Sequence, residues 1–136
     1  SRLPGLLQRA RGDGLFRGVY LHHCPVAGRE KWRKRLTDAP QIQALLQEHG
    51  AELVLHGHGH RAHYSELETK HGNLPVIAVP SASALGLHGR DIAHYNRYEV
   101  ERGDAGWQVR IDVRRYEVAS GRFAEGEGRT LRIDRR

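Results

Sequence analysis

Two short apolar stretches each end in histidines, and this pattern limits the fold more than anything else in the chain. Leu53-Val54-Leu55 runs into His56-Gly57-His58-Gly59-His60, and upstream Val19-Tyr20-Leu21 runs into His22-His23-Cys24-Pro25. Short continuous apolar runs closed by turn residues are typical of strands buried within a sheet. Between them, Asp38, Pro40 and Gly50 read as the cap, first turn and stop of a helix whose Ile42, Leu45 and Leu46 share one face. Strand, helix and strand over 18–56 predict a βαβ unit with parallel pairing, because a long crossover is what brings the chain back in the same direction. Such a unit brings successive strand ends to one sheet edge, where α/β sites lie. His22, His58 and His60 are therefore expected to converge.

The remaining segments are simpler. Residues 3–10 read as a short helix broken by Arg11-Gly12-Asp13-Gly14, and Ala27–Leu36 as a polar, basic loop over the surface. Tyr64–Glu68 and Leu74–Val79 flank a His71-Gly72-Asn73 turn, the pattern of a hairpin. Ala93–Glu101 and Trp107–Val118 flank Gly103–Gly106 in the same way, and Val109, Ile111 and Val113 alternate with polar residues as in a half-exposed strand. Positions 120–129 read as a loop before a last strand, Thr130–Ile133. The expected architecture is α/β: a βαβ unit followed by mainly antiparallel strands, in a single domain over 1–136.

Imidazole is the commonest metal-binding side chain, and histidines two apart reach one ion when the backbone between them turns. Gly57 and Gly59 are expected to permit that turn. Of ten histidines, five lie within 49–63; a lone one would read as structural, but two strand ends supplying imidazoles favour a metal site. His56 is expected to pack against neighbouring backbone. Cys24 is open to two readings, a small packed residue or a metal neighbour. His63 and Tyr64 suit either a leaving-group contact or the surface. Ser81, Ser83 and His88 lie on a loop that borders the expected cleft and are assigned no catalytic role.

These residues resemble the calcineurin-like metallophosphoesterases, which include class III cyclic nucleotide phosphodiesterases. Gly57-His58-Gly59-His60 is similar to that family's Gly-His-x-His after a strand, and His22-His23-Cys24-Pro25 to its His-His-Pro-Pro one strand earlier. Leu36-Thr37-Asp38-Ala39 and Val79-Pro80-Ser81-Ala82-Ser83 look like the bacterial branch near cyclic-AMP phosphodiesterases. The resemblance spans roughly residues 15–100. It implies the C-terminal half of a metallophosphoesterase α/β sandwich. It also implies that His22 and His58 bind the second of two divalent ions (Mn, Fe or Zn), that His60 binds the first, and that His23 orients the site or meets substrate. The family's upstream Asp-x-His, Gly-Asp and Gly-Asn-His-Asp/Glu motifs have no counterpart among the 21 residues before His22. The protonating histidine and the carboxylate ligands are thus expected in a missing N-terminal half, and this stretch, which begins at Ser1 without methionine, is expected to be a processed product or a piece of a longer protein.

The implied activity is hydrolysis of phosphodiesters or phosphomonoesters by the full-length parent, with two ions ~3.5–4 Å apart holding the attacking and departing oxygens. Three imidazoles alone would still suit one zinc ion. The net charge of +6 fits an anionic phosphate ester, but the arginines are scattered without stacking aromatics, so nucleic acid is not the expected partner. A single cysteine fits a reducing, cytoplasmic setting. The mean hydropathy is −0.66, and no apolar run approaches the ~20 residues of a membrane span. Hairpin edges leave homo-oligomers possible. Two alternatives stand beside the phosphohydrolase: a non-catalytic metal- or phosphate-binding module, and a histidine-triad nucleotide hydrolase. The histidine triad, however, wants apolar residues where this chain has glycines, and a metallo-β-lactamase site would need an aspartate before His63.

Overall fold

The computed structural model describes residues 2–26 and 38–134; the expected loop at Ala27–Leu36 lies outside them. The described residues up to 59, together with 63–78, form one compact unit, and 60–62 with 79–134 form another.

The first unit contains helices α1 (Leu3–Gly12) and α2 (Ala39–His49) and strands β1 (Gly18–Leu21), β2 (Leu53–His56), β3 (His63–Thr69) and β4 (Gly72–Ala78). The strand order is β1-β2-β4-β3. β1 and β2 run parallel with Gly18 opposite Leu53 and Leu21 opposite His56, as the βαβ reading requires. β2 also pairs in parallel with β4, and β3–β4 is the expected antiparallel hairpin, turned at Lys70-His71. α2 packs Leu46 into a cluster with Leu7 of α1 and Val19, Val54, Leu67, Leu74 and Val76 of the sheet. Leu46, Val54, Leu74 and Val76 are fully buried, each contributing about 1.5–3 kcal/mol by leaving water. Among the described residues, no helix is long and apolar enough to cross a membrane.

Pro40 opens α2 and Gly50 ends it with φ +66, as the capping pattern predicts. Asp38 stands at the N-cap, but its side chain makes no capping hydrogen bond. Its backbone carbonyl accepts from Ile42 N at 3.0 Å. The crossover is fixed at its base by Arg17, which is 6% exposed. Its Nε and second terminal nitrogen donate to the two carboxylate oxygens of Glu52 at 2.9 and 2.7 Å, and another terminal nitrogen donates to His49 O at 3.1 Å. The residues entering β1 and β2 are thereby tied together.

The second unit is antiparallel. β5 (His94–Arg102) pairs with β6 (Gly106–Glu117), whose other edge carries both β7 (Arg122–Glu125) and β8 (Arg129–Asp134). β7 corrects the expectation of a loop over 120–129. Its residues lack an apolar run, but Phe123 joins an aromatic cluster with Tyr95 and Tyr116, at ring separations of 5.1 and 5.5 Å. Val109 and Ile111 fill one face of β6, while Arg110, Asp112 and Arg114 on the other meet Glu99, Arg97 and Glu125 across the strands.

Candidate metal centre

Because β1 and β2 are parallel and in register, the residues following them emerge side by side. Gly57 N donates to His22 O at 3.2 Å, which carries the ladder one step past both strands. Beyond that step the chain bends twice. After β1, Cys24 (6% exposed) and the fully buried Pro25 anchor the turn, so His22 and the adjacent His23 both project into the region beyond the strand ends. In a continuing strand their side chains would point to opposite faces. After β2, the backbone turns at His58 itself, which adopts φ 62.

This last feature corrects the expectation that glycines make the turn. The left-handed residues are His58 and His60, at φ 62 and 52, and neither Gly57 nor Gly59 has positive φ. A non-glycine residue in that region is uncommon, although histidine is one of the enriched types. Backbone strain of this kind collects at functional sites.

The result is a trio of imidazoles. Ligand atoms of His22, His23 and His58 all lie within 4.8 Å of one another. His58 Nδ1 and His22 Nε2 share a hydrogen bond at 3.0 Å, with the donor set by tautomer. Ring centroids are 4.0 Å apart for His23–His58, 4.8 Å for His22–His23 and 4.9 Å for His22–His58. His22 is exposed and the other two half-buried, so solvent reaches the trio from the His22 side. The donors are borderline nitrogens, and the residues present fit a single late divalent ion. Among the described residues, no carboxylate belongs to this cluster.

The other sequence candidates fall elsewhere. His60 belongs to the second unit, where its carbonyl accepts from Asp91 N at 3.0 Å. There Asp91 Oδ2 accepts from Ala62 N at 2.6 Å, and Arg61 Nε donates to Gly89 O at 3.0 Å. Two histidines a single residue apart therefore belong to different compact units. His56 is buried beneath the turn with Nδ1 3.3 Å from Gly57 O, against backbone as expected. Cys24 is a buried, packed thiol outside any disulfide, and its Sγ lies 4.0 Å from Val26 O. Tyr64 donates to Glu66 Oε1 at 2.8 Å along β3, and His63 is exposed where that strand starts. Ser81 and Ser83 meet at 3.2 Å, and His88 lies in a 3-10 turn, Leu87–Gly89, with φ 59. What the sequence reading missed is His23 as a full member of the cluster. The available signal was Cys24-Pro25, a turn close enough to β1 to swing adjacent residues to the same side.

No family model matches the sequence, and no curated protein matches it. Among solved structures, the chain is similar to the crystal structure of a Vps29 double mutant from Entamoeba histolytica, with 15% identity and a TM-score of 0.49 over 79% of this chain and 53% of that one. The chain thus spans about half the length of that protein.

Proposed function

We propose that the chain is the C-terminal part of a calcineurin-like metallophosphoesterase, acting within a longer protein in metal-dependent hydrolysis of phosphate mono- or diesters. The observation that carries the reading is the convergence of His22, His23 and His58 at the carboxyl ends of two parallel strands joined by a helix. The Gly-His-x-His and His-His-Cys-Pro segments supply those imidazoles, and the family motif gives them their roles. His22 and His58 would hold one divalent ion. His60 would be a ligand of the other, completed by carboxylates from outside this stretch. When bound, such ions supply Lewis acidity toward a phosphoryl oxygen and a water deprotonated near neutral pH. The chain's own side chains supply fixed nitrogen donors: β1 and β2 orient them before any ligand arrives, so little ordering remains to be done on binding. The buried single cysteine suits a reducing, cytoplasmic setting.

The test is hydrolysis of bis-p-nitrophenyl phosphate by the full-length protein, stripped with chelator and resupplied with Mn, Fe or Zn. Metal-dependent turnover that disappears in His58→Ala supports the reading; turnover indifferent to chelator and to that substitution overturns it. The 136-residue chain alone is expected to show no appreciable turnover. A non-catalytic metal-binding module is the second reading, favoured by the lack of any carboxylate in the cluster among the described residues. Stoichiometric metal in a full-length protein that hydrolyses neither diesters nor monoesters would select it.

A further inference from the structure

We infer that His23 is a metal ligand in its own right, so that this chain carries a three-imidazole site that favours one borderline divalent ion, such as zinc, over magnesium or manganese. The inference rests on the metal-centre reading and departs from the family pattern, in which the second histidine of the strand-end pair stands outside the ligand set.

Geometry argues for it first. Two imidazole nitrogens bound tetrahedrally to one zinc at about 2.0–2.1 Å from the metal stand about 3.3 Å apart. His22 Nε2 and His58 Nδ1 are already 3.0 Å apart, so a bound ion needs them to separate by only a few tenths of an ångström. The third donor lies within 4.8 Å of both, a gap of about 1.5 Å that rotation of one ring about its side-chain bonds can close. His23 is also nearer to His58, ring to ring, than His22 is to either neighbour.

Placement argues in the same direction. Cys24 and Pro25, both buried, fix the turn that keeps His23 on the same side as His22. His58 reaches the pair through a left-handed backbone, at φ 62, which a residue with a Cβ adopts only at a cost. Donor chemistry then sets the metal. Neutral imidazoles suit zinc, copper and nickel, whereas magnesium and manganese want oxygen, and among the described residues the cluster offers none from a carboxylate. Three histidines with a fourth position open to water make a complete zinc ligand set. The exposed rim at His22 leaves that fourth position reachable.

The experiment is a zinc titration of the 136-residue chain in competition with a chromophoric chelator, together with cobalt(II) titration followed by visible absorption. The expected result is one equivalent of zinc, an intense cobalt band of low-coordinate nitrogen ligation, and no displacement by millimolar magnesium or manganese. His23→Ala and His23→Gln should each weaken zinc binding by more than about 100-fold and bleach or shift the cobalt band, since loss of a supporting residue outside the ligand set costs only about 10–100-fold. Circular dichroism melts show whether each variant is folded, and the glutamine variant preserves side-chain bulk if the alanine variant does not fold. His49→Gln, remote at the end of α2, should bind as the parent does. If His22→Ala and His58→Ala abolish binding while both His23 variants fall within the smaller range with an unchanged cobalt spectrum, His23 is not a ligand and only this inference fails. If all three positions can be replaced without loss, the metal-centre reading fails with it.

Discussion

At Gly50 the chain leaves α2 with φ +66, and a Cβ added there would stand 2.9 Å from Cδ2 of His71. Both the backbone region and the space exclude a side chain. Gly50→Ala is therefore expected to lower stability by about 1–3 kcal/mol, the usual cost of forcing a residue with a Cβ into that region, read as a lower urea midpoint. Adding His71→Ala should recover the steric share and leave the backbone share. Gly57 and Gly59 make the opposite case. Neither has positive φ and neither would bring a Cβ within 4 Å of a neighbour, so Gly57→Ala and Gly59→Ala should fall within about 0.5 kcal/mol of the parent. A large loss at either would show that the turn depends on them after all. The left-handed backbone instead sits on His58.

The βαβ element depends on a pair of charges that no local pattern announces. Arg17 and Glu52 are 35 positions apart, and their forked contact is almost out of water, with side-chain exposures of 5% and 13%. Removing one partner strands the other, so Glu52→Ala should cost about 3–5 kcal/mol by chemical denaturation, and Arg17→Met with Glu52→Leu should recover much of it. If Glu52→Ala is neutral, the tie does not hold the two strand entries together. This pair also shows where the sequence stopped being informative. Val19–Leu21, Leu53–Leu55 and the Pro40–Gly50 helix announce themselves through local apolar spacing and caps, so the crossover and its parallel pairing were legible, as were both hairpins. β7 was not, because Arg122–Glu125 is held by pairing along β6 and by the contacts of Phe123, neither of which has a local signature. At the candidate site, strand-end spacing was enough to foresee that His22 and His58 lie together. The closeness of His23 to both depended on a bend, and the place of His60 in the other unit on backbone partners at Asp91, 31 residues downstream.

At the scale of the whole molecule, each unit holds a histidine whose pKa the fold lowers, and both are expected to weaken the protein in acid. His71 packs between α1, α2 and the β3–β4 turn. Its Nε2 reaches Glu48 O at 3.0 Å, and a terminal nitrogen of Arg11 lies 3.0 Å from its Nδ1. Burial, then the Arg11 cation, hold its pKa below the ordinary 6.5, with Arg17 adding to the effect and the Glu48 backbone and carboxylate opposing it. His94, 5% exposed at the start of β5, is lowered by burial and then by Arg115, with Asp91 opposing. With both folded pKa values below the unfolded one, the folded chain resists protons that the unfolded chain accepts. Their contribution is therefore complete above about pH 6.5 and is lost as pH falls through the lower folded values. The carboxylates of Glu48 and Asp112 are also lowered, by Lys70 and Arg97, and their contributions disappear only at more acidic pH. Both are exposed pairs that carry little weight. Urea midpoints measured from pH 8 down to pH 4.5 should be flat near the top and fall below about 6.5. His71→Gln and His94→Gln should each flatten that fall, and the double substitution should flatten it most. A midpoint that rises on acidification, or a slope unchanged in the double variant, would show that these two rings do not govern the acid response.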